Sequence, residues 1–344
     1  MKIIVAVDGT VHSEVAISAL TSTAWPADTE IKILTVAPAE EPAFAFARFG
    51  APNRTAEQQA QLIETTKNAL KEMVGPRAAA LNCKISFEVL QGDAKSQIVE
   101  EAKKWSANMI VMGSRGSKGI ELALLGSVSQ SVLNLAPCPV VIVKTQQGAG
   151  SYDFKQGFRS IVVAVDNSEY SQAAMKWVKD FPWSESCKVK LVTVIPHLAN
   201  LLDGHPDGLD MTEVMMKQET IIRLAENELK KLSAELLKFK RENVSNEVVV
   251  GDPREAILQT AENVHADLIV MGSHGRTGLT KLFIGSVSQA VAAHAPSSVA
   301  VVRGVVPKGK IGALNQSGLF VANNKDEYDQ KYKELTREME DLSK

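Results

Sequence analysis

A chain of 344 residues, 45% hydrophobic but only 5% aromatic, is long enough to bury two cores of about 150 residues each. A formal net charge of −2 and a pI near 6.3 advertise no polyanionic partner, and no apolar run reaches membrane-spanning length. The N-terminus enters a strand-like segment without a signal-peptide pattern, so the cytoplasm is the expected compartment; Cys83, Cys138 and Cys187, an odd count, read as reduced, mostly buried thiols rather than a disulfide framework or metal cluster.

Lys2 to Asp8 (KIIVAVD) is a continuous apolar run ending in a carboxylate, the pattern of a buried parallel strand with Asp8 at its C-terminal tip. Gly9 and Thr10 turn the chain, and Ser13 to Leu20 has helical spacing. Glu30 to Ala37 (EIKILTVA) reads as a second strand, stopped by Pro38. Residues 38 to 54, with Phe44, Phe46 and Phe49 among prolines and alanines, read as a mobile loop whose aromatics cover a ligand or pack on a neighbouring surface. A long helix is expected from about Thr55 to Leu81 and a third strand over Cys83 to Leu90. Gly92-Asp93 then turns into a helix over Ala94 to Trp105. Met109 to Met112 and Val140 to Val143 complete the strands, the last one led by Pro137 and Pro139.

The second half repeats this order. Its five strands are expected at Ser160 to Asp166, Lys188 to Ile195, Glu247 to Val250, Leu268 to Met271 and Val299 to Val302. Asp8 pairs with Asp166, 158 residues on, and Gly113 with Gly272, 159 on, as a tandem duplication with one net inserted residue requires. Gln146 to Phe158 (QQGAGSYDFKQGF) is a glycine-rich, polar linker. The expected domains are thus 1–147 and 158–304, followed by a partly helical extension, 305–344. There Tyr328, Tyr332, Leu335, Met339 and Leu342 form a heptad-like seam that either docks on a domain or second subunit or frays in solvent.

The stretch that organises both halves is Asn108 to Ser129 (NMIVMGSRGSKGIELALLGSVS) and its copy Asp267 to Ser288 (DLIVMGSHGRTGLTKLFIGSVS). Gly113, Gly116 and Gly126 have the same spacing as Gly272, Gly275 and Gly285. Glycines let backbone N–H groups approach a phosphate, and a helix start adds unsatisfied donors and a favourable dipole. Those donors belong to Ser127, Val128 and Ser129, and to Ser286, Val287 and Ser288, with hydroxyls from the four serines. The alternative is an ordinary strand-to-helix turn with glycines for tight packing; two matching copies favour a phosphate cradle.

Strands alternating with helices imply doubly wound parallel sheets with right-handed crossovers, whose ligands sit beyond the strand C-termini where strand order reverses. If the first and fourth strands flank that reversal, Asp8 meets the Gly113 loop and Asp166 the Gly272 loop. Each aspartate there takes a ribose hydroxyl, helps hold a phosphate-bound cation, or merely caps the next helix. Arg115 and Lys118, and His274 and Arg276, either touch phosphate or are solvated. His12, His197, His205, His265 and His294 show no metal-ligand spacing, and neither loop matches a lysine-bearing phosphate loop or a nucleophile signature.

Gly-x-x-Gly, nine residues, then Gly-Ser resembles the nucleotide motif of the universal stress protein family, over about residues 1 to 147 and 158 to 304. The Gly-Asp turns at Gly92-Asp93 and Gly251-Asp252 and the proline-led last strand resemble it too. The resemblance implies two five-stranded sheets of order 3-2-1-4-5, an adenine-nucleotide α-hydrolase-like fold, and, in the family's nucleotide-binding branch, ATP with a divalent ion, magnesium or manganese. It places Asp8 and Asp166 toward the ribose or adenine, backbone at Val36 and Val194 against adenine, and the glycine-serine elements on phosphates. Asp8 departs from its counterpart in being followed by Gly-Thr, where Asp166 is followed by Asn-Ser.

The short, apolar terminal strands would invite pairing as exposed edges, so an intramolecular pseudo-dimer is expected, with a further homodimer open. Three functional readings follow: an ATP-binding stress sensor with slow turnover, its loops 38 to 54 and 196 to 212 free to respond; an enzyme of ATP hydrolysis or nucleotidyl transfer; and a nucleotide-free interaction module.

Overall fold

The computed structural model describes residues 1–37, 55–78, 81–115, 125–144, 157–198, 211–238, 243–275 and 284–304. The first half runs β1 (Lys2–Ala6), α1 (Val11–Thr21), β2 (Glu30–Ala37), α2 (Ala56–Ala78), β3 (Lys84–Gln91), α3 (Ala94–Lys104), β4 (Met109–Gly113), α4 (Ser127–Leu135) and β5 (Val140–Val143). The second runs β6 (Ser160–Ala164), α5 (Glu169–Asp180), β7 (Lys188–Ile195), α6 (Met211–Lys238), β8 (Val244–Val250), α7 (Pro253–Asn263), β9 (Leu268–Gly272), α8 (Ser286–His294) and β10 (Ser298–Val302).

Each half has the order 3-2-1-4-5, but the two expected sheets are halves of one: ten strands in the order β3-β2-β1-β4-β5-β10-β9-β6-β7-β8. Pairing is parallel except at the joint, where β5 and β10 run antiparallel with Ile142 opposite Val299 and Val140 opposite Val301. Both strands are fully buried, so each end strand removes the other's exposed edge.

Alternation along the strands splits the core into two layers. Ile3 and Val5 face a layer with Ile17 and Leu20 of α1, Leu70 of α2, Met175 of α5 and Leu229 of α6. Ile4 and Ala6 face the opposite layer, with Val99 of α3, Val132 of α4, Ile257 of α7 and Val291 of α8. An aromatic seam crosses the joint in the first layer. Trp25 meets Phe181 edge-on at 5.2 Å, and Phe181 lies 4.1 Å from Trp183. The repeat preserves the anchors: Trp25 Nε1 donates to the Leu20 carbonyl and Trp183 Nε1 to that of Val178, both at 2.7 Å.

Several boundaries differ from expectation. β1 ends at Ala6 and β6 at Ala164, so both aspartates lie two residues past their strands. β8 starts at Val244 rather than Glu247, because Val244 to Asn246 continue the ladder against Val189 to Leu191. Phe158 closes the expected linker but is buried, packing on Trp183 at 6.3 Å. Met211 and Thr212, expected in a loop, open α6. The loop 38 to 54, most of the linker, Gly116, Lys118, Arg276 and the extension 305 to 344 lie outside the described residues.

Candidate functional site

Strand order reverses between β1 and β4, and again between β6 and β9, which opens a crevice past the strand C-termini in each half. At the first, Asp8 Oδ1 accepts from the Thr10 N–H (3.2 Å), the Thr10 hydroxyl (2.6 Å) and the Ser13 hydroxyl (2.5 Å). At the second, Asp166 Oδ1 accepts from the Ser168 N–H (3.1 Å) and hydroxyl (2.6 Å). One oxygen of each carboxylate therefore ties the turn that feeds α1 or α5, while the N-cap positions themselves belong to Thr10 and Ser168. The Gly-Thr versus Asn-Ser departure keeps a positive φ, +77° at Gly9 and +60° at Asn167, which both residue types tolerate, but changes the cap: Ser168 caps α5 through its side chain and Thr10 makes no such bond to α1.

The glycines divide into two kinds. A Cβ on Gly113 would lie 2.7 Å from the His12 carbonyl oxygen, and one on Gly272 would lie 2.7 Å from backbone of Tyr170. These two glycines seat the first turns of α1 and α5 on the ends of β4 and β9; tight packing is what they supply. Gly275 is different, since a Cβ there would meet Asp166 Oδ2 at 2.9 Å. That contact brings the aspartate and the loop into one crevice, as expected for the second half.

Gly126 and Gly285 are the N-caps of α4 and α8, and neither helix start has a side-chain cap. Elsewhere Asp93 caps α3, Ser168 caps α5 and Asp252 caps α7 through side-chain oxygens. The glycine caps are held in place by their own N–H groups, which bond the Ser114 and Ser273 carbonyls at 2.8 and 2.7 Å. The N–H groups of Ser127, Val128 and Ser129, and of Ser286, Val287 and Ser288, are thus first-turn donors with no intrahelical acceptor. Ser127 and Ser286 are exposed. Ser129 and Ser288 are not: their buried hydroxyls donate to the carbonyls of Gly113 (2.9 Å) and Gly272 (2.8 Å). Those two hydroxyls lock helix to strand, so of the four serines the exposed pair is the one whose hydroxyls face outward.

Val36 and Val194 lie past the ends of the β1 and β6 ladders, which stop at Leu34 and Val192. Alternation turns their backbone groups to the same side as Leu34 and Val192, whose carbonyls bond the Val7 and Val165 N–H groups at 2.9 Å. The Val7 and Val165 carbonyls, which would extend the ladders, are taken instead by the hydroxyls of Thr35 (2.8 Å) and Thr193 (3.0 Å). The Val36 and Val194 backbones therefore edge the two crevices.

Charge differs between the halves. Arg115 is partly exposed, whereas His274, its counterpart, is buried, tilted on the Tyr170 ring at 4.8 Å with Nδ1 3.1 Å from the Ser273 hydroxyl. Of the two readings left open for His274, contact with phosphate or a solvated turn, burial rules out the second, because Tyr170 offers an aromatic face where the first half has His12. Burial, and then the Arg115 charge, lowers the His12 pKa from its ordinary value, partly offset by Asp8. Sequence reasoning missed three residues here. Tyr170 partners His274, and Lys144 and Arg303 occupy equivalent positions after the last strand of each half. The signal for the latter pair was present, since both cations follow a run of apolar β residues at the repeat spacing.

The helix starts present groups that suit a phosphate: neutral N–H donors, with a loop free of Cβ at Gly275 beside the second. Among the described residues no three His, Cys, Asp or Glu side chains converge, so a divalent ion would draw most ligands from phosphate and water. A small apolar cavity of about 10 Å³ under the aromatic seam, lined by Leu20, Trp25, Val141, Phe158 and Phe181, is far too small for a nucleotide. No helix among the described residues is long and apolar enough to cross a membrane.

Fold and crevices together define a tandem pair of doubly wound α/β units, each with a glycine-capped helix start at its crevice. The profile of the universal stress protein family matches residues 1–144 and 157–303, and the chain belongs to that family. It is 30% identical over 243 residues to universal stress protein Rv2005c of Mycobacterium tuberculosis, covering 70% of this chain and 76% of the relative. It is 32% identical over 164 residues to universal stress protein MJ0577 of Methanocaldococcus jannaschii, covering 42% of this chain and 95% of the relative. The crystal structure of a universal stress protein from Archaeoglobus fulgidus shares the fold, with a TM-score of 0.58 at 21% identity over 88% of this chain and 96% of that one.

Proposed function

We propose that each half binds one ATP, accompanied by magnesium or manganese, and that the protein acts in the cytoplasm as a stress-response sensor or regulator with little or no hydrolysis. The observation that carries this reading is the pair of Gly-Ser-Val-Ser helix starts beside the strand-order reversals, both N-capped by glycine and without a side-chain cap, whereas α3, α5 and α7 are capped by side-chain oxygens and α1 starts at Thr10 without a side-chain cap bond. The first-turn N–H groups and the exposed Ser127 and Ser286 hydroxyls hold phosphate oxygens. The Val36 and Val194 backbones take the adenine edge, and Asp8 and Asp166 line the ribose side. The divalent ion neutralises phosphate charge.

Slow turnover follows from how the reactive groups are engaged. Hydrolysis needs an oriented water and strong charge stabilisation at the γ-phosphate. His274 is turned against Tyr170, and Asp166 is tied into its own turn. Binding without rapid turnover lets occupied and empty states persist long enough to be read. Mass spectrometry of the denatured, freshly purified protein tests the reading: co-purified ATP supports it, while calorimetry that detects no ATP binding overturns it. Turnover of many ATP molecules per second would replace the sensor with an enzyme.

A further inference from the structure

Two cations at the joint, Lys144 buried and Arg303 partly buried, do work that the crevices alone do not explain. Lys144 follows β5, is 7% exposed, and donates from Nζ to the carbonyls of Ala293 (3.2 Å) and Ala295 (2.7 Å) at the C-terminal end of α8. Arg303 follows β10 and donates from Nη2 to the carbonyls of Leu133 (3.1 Å) and Asn134 in the last turn of α4. Both contacts cross from one half to the other, and they are related by the repeat. The Lys144 N–H also bonds the Ser298 hydroxyl at 3.2 Å, which fixes the residue to the partner strand.

The last carbonyls of a helix lack intrahelical donors, and that end carries partial negative charge. A cation placed there satisfies the acceptors and fixes the helix end. α4 and α8 have nine residues each, so they are rods of roughly 13 Å at 1.5 Å per residue. Anchoring the C-terminal end of so short a rod sets where its N-terminal N–H groups point. The opposite anchor in each helix is the Ser129 or Ser288 hydroxyl, which bonds that helix to β4 or β9 of its own half.

Resting on the reading that α4 and α8 hold phosphate, we propose that Arg303 is a positioning residue for the nucleotide site of the first half and Lys144 for that of the second. Each half thereby holds the other's phosphate helix, and the two sites are coupled through the β5–β10 joint.

The test uses the full chain with one site disabled at a time. In a Gly285→Val background only the first site binds. There Arg303→Met weakens MgATP binding roughly fivefold, Arg303→Lys restores most of it, and Lys144→Met has the smaller effect. In a Gly126→Val background the order inverts, with Lys144→Met the larger loss and Lys144→Arg the rescue. Thermal unfolding without nucleotide shows that each variant is folded, and the conservative variants serve where a methionine variant is not. Equal losses in both backgrounds, or larger losses in a residue's own half, overturn the proposal while leaving nucleotide binding intact. Absence of MgATP binding by the wild type overturns the underlying reading, and this proposal with it.

Discussion

Two glycine substitutions separate packing from binding. At Gly272 a new Cβ would sit 2.7 Å from both the carbonyl carbon and the Cβ of Tyr170, nearly 1 Å inside ordinary carbon contact. The obstacle is helix backbone, which cannot rotate aside, so α5 must shift off β9. Overpacking of this kind costs about 1–3 kcal/mol, which lowers the melting temperature of a chain this size by roughly 1.5–4 °C. At Gly285 a Cβ would find its nearest neighbours at 3.4 Å, ordinary contact, and the backbone at φ −63° and ψ 154° suits any residue. Gly285→Val therefore keeps the apo melting temperature within roughly 1 °C. Its side chain instead stands where phosphate must meet the α8 N–H groups, and affinity at that site falls at least about tenfold, or 1.4 kcal/mol. Differential scanning calorimetry without ligand and calorimetric titration with MgATP measure the two effects. The reasoning is refuted if Gly272→Ala melts like the wild type, or if Gly285→Val retains both ATP sites at full affinity.

Three other outcomes are expected. Burial, and then the Arg115 charge, lowers the Lys144 pKa to about 8 from 10.5. The unfolded chain then binds more protons between those values, so Lys144 makes stability rise with pH across that window by on the order of 3 kcal/mol. Urea unfolding of wild type and Lys144→Met at pH 7.5 and 10 reads the difference, and a stability gap that does not change with pH contradicts the burial. MgATP bound near Arg115 offsets the cation that helps depress His12, so the His12 pKa should rise on binding; an NMR titration of His12, assigned with His12→Gln, that shows no shift would place the phosphate elsewhere. Trp25→Ala removes the first half's contact with Phe181 and should destabilise the protein by about 3–5 kcal/mol in denaturant unfolding. A cost below about 1 kcal/mol would mean that the seam does not hold the halves together.

The strand ladder was legible because parallel strands buried on both faces write themselves as unbroken apolar runs, as in Ile3 to Val7 and Leu268 to Met271. The strand order came from the family resemblance, and the joint from short apolar terminal strands such as Val140 to Val143, which alone would be exposed edges. The aromatic seam was not legible. Trp25 and Trp183 recur at repeat spacing, but Trp25 meets Phe181 of the other half, and only the antiparallel joint brings those two together. At the site, spacing located the glycines but did not assign their work. Gly113 and Gly272 serve helix packing, and the Ser129 and Ser288 hydroxyls serve the strand ends, because a residue one turn into a helix points back over the preceding strand. The burial of His274 was not legible for a related reason: it depends on Tyr170, which lies 104 residues earlier.

Calorimetric titration of the full chain with MgATP tests the central claim most directly. The account predicts two bound ATP per chain, falling to one in Gly126→Val and one in Gly285→Val, with little nucleotide hydrolysed during the titration. Absence of binding in the wild type, or unchanged stoichiometry and affinity in both variants, would contradict it.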